Sequence, residues 1–124
     1  MNFAHDYRHI LNNLSLLCHE ANEKWWTNPA TGEFIPGNAG EKFMLIVSEI
    51  AEAMEGERKS LMDDHLPHRK MVEVELADAL IRIFDYAGAY KLDIGGALVE
   101  KMNYNETRED HSIAARLGVN GKKF

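Results

Sequence analysis

The chain has 124 residues, 45% hydrophobic and 27% charged, with a net charge of −6, the size and balance of one globular domain spanning 1–124. No apolar run approaches the ~18 residues of a membrane span, the opening Met1-Asn-Phe-Ala-His-Asp lacks a signal-peptide layout, and the lone Cys18 cannot close an internal disulfide, so a cytoplasmic protein with no membrane partner is expected. Lysine and arginine gather only in doublets such as Arg69-Lys70 and Lys122-Lys123, which argues against a nucleic-acid partner, whose affinity comes mostly from phosphate neutralisation.

In chain order, Phe3, Tyr7, Ile10, Leu14, Leu17 and Ala21 alternate by four and three, one stripe of an amphipathic helix ending near Trp25-Trp26. Asn28-Pro29, Gly32, Pro36, Gly37 and Gly40 break it into a loop of about fifteen residues, long enough to suggest a functional segment. A second helix is expected over about 41–61. Pro67 stops its continuation, and a third helix is expected over about 70–90. Asp93 is a plausible N-cap for a fourth helix over about 94–109, and 110–124 reads as a C-terminal tail. No strand-like alternation of useful length occurs. The expected fold is all-α, a four-to-five-helix bundle.

The third helix is apolar on nearly every side: Met71, Val72, Val74, Leu76, Ala77, Leu80, Ile81, Ile83, Phe84 and Ala87. Such a helix is buried on most faces. Four helices cannot easily do that alone, so a homodimer or homotetramer is expected to complete the bundle.

The chemistry sits on the second and third helices. Glu49 and Glu52 are three apart, as are Glu75 and Asp78, so each pair shares a helix face, and all four are flanked by core-type residues. Two carboxylates ~5 Å apart repel by roughly 3 kcal/mol at an effective dielectric of about 20. Protonation or a cation relieves that cost. An all-oxygen donor set suits a hard ion, Mg²⁺ or in its place Mn²⁺, and the cation would in turn let an acidic chain hold a polyphosphate.

Glu-x-x-Glu followed by Glu-x-x-Asp on the next helix resembles the all-alpha nucleoside triphosphate pyrophosphohydrolases, the MazG-like group. A further match is Lys101, then Asn105 four later, then Arg108. The resemblance spans about 41–108. It departs at Ser48, where many members carry a first Glu, and at Tyr104, where a second Lys is common. The resemblance implies a MazG-like bundle and Mg²⁺-dependent hydrolysis of (deoxy)nucleoside triphosphates to the monophosphate and pyrophosphate, in nucleotide-pool control. Glu49, Glu75 and Asp78 would be the primary metal ligands, and Glu52 a ligand that also orients water, a role that Glu49 could exchange with it. Lys101, Asn105 and Arg108 would hold substrate.

Other residues are candidates on chemical grounds. Lys42 can reach phosphate, and Trp25 or Trp26 can stack on a base. Asn38 can read a base edge. Arg82 should pair with a carboxylate, a phosphate role being the alternative, with Asp85 on the same face. Cys18 falls on the apolar side of the first helix. The pairs His5/His9 and His65/His68 lack the partners of a zinc site. Two alternatives remain: a base-specific phosphohydrolase, for example for dGTP/GTP or dCTP/dUTP, and a non-catalytic helical oligomer whose acidic face binds a partner.

Overall fold

A computed structural model describes residues 5–124, with side chains from Tyr7 onward. Phe3 of the first stripe, the opening residues 1–4 and the His5 side chain lie outside the described residues. The described chain is all-helical: α1 (His5–Asn22), α2 (Ala39–Lys59), α3 (Met71–Ala89), α4 (Ile94–Thr107) and α5 (Ile113–Leu117), with 3₁₀ turns at Glu23–Trp25 and Glu109–His111. Among the described residues, strand-like pairing is limited to two isolated bridges, Thr27 with Phe34 and Met62 with Lys70. The first of these folds the long loop back on itself.

The helix ends follow local chemistry. Asn38 caps α2, its side-chain oxygen accepting from Glu41 N at 3.3 Å. Ser60, in the left-handed region at φ 51°, ends it. Glu73 reaches back to the Lys70 N–H at the start of α3. Asp93 caps α4 by accepting from Gly96 N at 2.9 Å, as its position suggests. The C-terminal segment carries one short helix. Ser112 accepts from Ala115 N at 3.0 Å and starts the five-residue α5. A single turn falls below the window in which periodicity can be read.

The chain forms two compact units. One comprises Asn13–Leu92, and its frame is the α2–α3 pair. Phe43 meets Tyr86, Glu49 meets Arg82 and Gly56 lies against Met71. Partner numbers fall as the α2 number rises, so the two helices run antiparallel. Small residues are buried on both helices, Ala53 and Gly56 on α2 and Ala79, Ala87 and Gly88 on α3. A Cβ on Gly88 would meet the backbone oxygen of Ser15, so α3 also approaches α1 at contact distance. Trp26, 1% exposed, is the one large side chain fully buried among the described residues.

The other unit joins the described residues up to Asn12 with 93–124. Arg8 forms a fork to Asp93, with Nη2 at 2.6 Å from Oδ2 and Nε at 3.2 Å from Oδ1, and Asn12 donates to Asp93 Oδ1 at 2.7 Å. The hydrogen bonds from Asn12, from the Gly96 N–H and from Arg8 hold the Asp93 carboxyl down at about 2.

Candidate metal centre and adjoining cleft

Glu49 and Glu52 project from one face of α2 because they are three apart. Glu75 projects from α3, and the antiparallel register carries it opposite them. Each of the three offers a carboxylate oxygen, and these oxygens lie within 4.8 Å of one another. Glu49 is buried, Glu75 is partly covered and Glu52 is exposed. The cluster therefore opens to solvent on the Glu52 side.

Its electrostatics follow from that crowding. The Glu75 carboxyl is pushed up to about 7, first by burial, then by its hydrogen bond to Glu49 and the negative charge of Glu52. Asp78, one turn further along α3, is raised by burial and by the charge of Glu49, against an opposing pull from Arg82. It stands beside the group of three rather than within it. Arg82 Nε donates to Glu49 Oε1 at 2.7 Å, the carboxylate pairing its place on the helix suggests. The donor set fits a hard divalent cation: oxygen only, several carboxylates, and more negative charge than one arginine offsets.

A cleft of about 500 Å³ adjoins the cluster and shares Glu49 with it. Asp78 and Arg82 also line its carboxylate end. Farther along, Leu45, Ile81 and the 68% exposed Trp25 give apolar surface, and Asn22, Lys42 and Asp85 give polar groups. Lys42 Nζ sits 4.1 Å from the centre of the Trp26 ring.

No family model, curated protein or solved structure matches this chain.

The two adjacent tryptophans thus take different places. Trp25 faces the cleft. Trp26 is packed away, stacked with Phe34 at 5.9 Å between centroids and edge-on to His19 and Tyr90. Its indole Nε1 donates to both Asp85 oxygens, at 2.9 and 3.1 Å. A base cannot reach a ring so covered, so Trp26 acts from behind the cleft by fixing Asp85. Asn38 is occupied as the α2 cap.

Lys101, Asn105 and Arg108 lie on and at the end of α4, in the other unit. Lys101 Nζ lies 4.9 Å from the Tyr104 ring centre. Asn105 Oδ1 is buried with no hydrogen-bond partner among the described residues. Arg108 forks onto Asp110 at 2.7 and 2.9 Å. Lys122 donates to the same aspartate at 2.9 Å, so both cations hold its carboxyl well below the usual range.

Sequence reasoning missed two features. His19 Nδ1 lies 2.9 Å from Asp85 Oδ1, a pairing across 66 positions that no local pattern announces. Asp63 is buried and accepts from the His65 and Leu66 N–H groups. The Asp-x-x-Leu-Pro run carries that signal, because aspartate commonly caps its own following turn. Cys18 is half-buried, and burial raises its thiol, which suits packing rather than nucleophilic chemistry.

Proposed function

We propose that this protein is a MazG-like, Mg²⁺-dependent nucleoside triphosphate pyrophosphohydrolase. The observation that carries the reading is the convergence of Glu49, Glu52 and Glu75 from two helices onto one point, beside a cleft with room for a nucleotide. A cation held there would neutralise phosphate charge and lower the pKa of a coordinated water.

The protein side of the reaction follows from what each residue can do. Glu49 is fixed by Arg82, so it serves as a rigid donor. Glu75 and Asp78 supply the further carboxylates, both held towards protonation until a cation offsets them. Glu52, the exposed member, takes the proton from water as its oxygen attacks the α-phosphorus. The bond from that phosphorus to the α–β bridging oxygen breaks, and pyrophosphate leaves. Lys42 and Arg82 line the cleft as cations, one a point charge and the other a fork. The resemblance to the MazG-like group implies a phosphate-binding role for Lys101, Asn105 and Arg108.

A homodimer or homotetramer belongs to the same proposal. Val47, Ile50 and Met54 on α2 and Leu76 and Leu80 on α3 are each between 45% and 58% exposed in the single chain. Apolar surface at this density on paired helices is what a second copy would cover.

The test is pyrophosphate release from ribo- and deoxyribonucleoside triphosphates, with Mg²⁺ and with chelator. Release should need the metal, and Glu52→Gln should lower kcat at least a hundredfold while the protein stays folded. Metal-independent release, or an unaffected Glu52→Gln enzyme, would remove the reading.

A further inference from the structure

The cleft offers its hydrogen-bonding groups unevenly at the end away from the carboxylate cluster. Asp85 is gripped by Trp26 Nε1, which donates to both of its oxygens, and by His19 Nδ1, 2.9 Å from Oδ1. A carboxylate has roughly four acceptor positions. These contacts occupy three and leave one on Oδ2. Asn22 has committed its amide, since Nδ2 donates to the Cys18 carbonyl at 2.8 Å. Its carbonyl Oδ1 is the group it has left to offer. Both residues line the cleft. This end therefore presents two acceptors, one of them a carboxylate whose orientation is locked by two ring N–H groups.

A flat ligand is implied by the surfaces around them. Trp25 exposes its ring at the cleft, with Leu45 and Ile81 as apolar neighbours. A heterocycle lying on these surfaces satisfies the cleft only by bringing a donor to each acceptor. Guanine does so with two separate neighbouring donors, N1–H and the N2 amino group, and a carbonyl next to them. Adenine and cytosine place a ring acceptor beside one amino donor. Uracil and thymine have one N–H between two carbonyls. When the amino group of adenine or cytosine serves one acceptor, the neighbouring ring lone pair meets the other, and uracil and thymine have a single N–H to give, a mismatch that costs binding when water is excluded.

We propose that this end of the cleft is a guanine-selective base subsite. Asp85 and Asn22 are its specificity-determining acceptors and Trp25 is its stacking surface. The proposal rests on the nucleotide-hydrolysing reading given above and names the base that reading leaves open.

Two measurements test it. The first is kcat/KM with Mg²⁺ for the guanosine, inosine, adenosine, cytidine and uridine triphosphates and their deoxy forms. Inosine lacks only the exocyclic amine. Guanine should lead adenine, cytosine and uracil by at least about tenfold, with inosine between, and Asp85→Asn should erase that lead. Asp85→Asn can also loosen Trp26, so the wild-type series decides the matter without it. Guanosine and inosine triphosphates cut equally well, or another base preferred, would overturn the subsite and leave the phosphohydrolase standing. The second measurement is quenching of tryptophan emission by GMP, IMP and AMP, with Trp25→Leu as control. Selective quenching by GMP that Trp25→Leu removes, together with no hydrolysis of any triphosphate, would keep the subsite and overturn the phosphohydrolase. Absence of both overturns both.

Discussion

Glu75 shows how a single residue reports on the whole centre. Its carboxyl stands at about 7 rather than at its ordinary 4.5, chiefly because it is taken out of water beside two other glutamates. The folded protein therefore binds this proton more tightly than the unfolded chain. Its contribution to stability is complete below pH 4.5 and is lost as pH rises through about 7. In chelator, the melting temperature of the wild type should fall between pH 5 and pH 8 relative to Glu75→Gln, which has no proton to lose there. The difference should be about 1–2 kcal/mol once solvent screening is allowed for. Added Mg²⁺ should reverse the trend, since the cation prefers the ionised cluster. Parallel melting curves for the two proteins in chelator would mean that the three glutamates do not crowd one another.

At the scale of elements, the α1–α3 contact decides whether the centre is held in place. Gly88 lies within α3, where alanine would ordinarily gain up to about 1 kcal/mol of helix propensity. Here a Cβ would run into the Ser15 backbone oxygen and the His19 Cβ. Backbone cannot yield as a flexible side chain can, so Gly88→Ala should destabilise by about 1–3 kcal/mol, opposite in sign to propensity. Denaturant unfolding measures this directly, and a neutral or stabilising result would mean that α1 does not pack on α3 at this point. The same non-local contacts explain what the sequence could and could not reveal. Helix positions were legible because Pro67 and Asp93 punctuate them locally, and observed limits fall within two residues of expectation for α2, α3 and α4. The two carboxylate pairs were legible from spacing alone. That Glu75 joins Glu49 and Glu52 while Asp78 stands beside them depends on the register of α2 against α3, which Gly56 and Met71 set by contact. Which of Trp25 and Trp26 turns inward was not legible either. Asp85, 59 positions away, makes that choice by accepting the Trp26 indole N–H.

For the whole molecule, the near-absence of a polar face on α3 needs an explanation. Phe84 and the small residues Ala79, Ala87 and Gly88 are buried within the chain, but Leu80 remains 51% exposed, and Met54 on the partner helix 58%. Fully burying one such side chain contributes about 1.5–3 kcal/mol, so a handful covered by a second copy suffices for a stable association even after its entropic cost. A charge on that surface should prevent it. Leu80→Glu should sediment as a single chain under conditions where the wild type sediments as two or four, and its far-ultraviolet circular dichroism should show the helices largely retained. Pyrophosphate release by the dissociated variant then separates two arrangements. Activity retained at high substrate would mean that each copy carries a complete centre. Activity lost along with association, and restored by mixing Leu80→Glu chains with Glu52→Gln chains that still associate, would mean that copies complete one another's centre. A wild type that sediments as one chain at every concentration would leave the apolar surface of α2 and α3 to some partner other than itself.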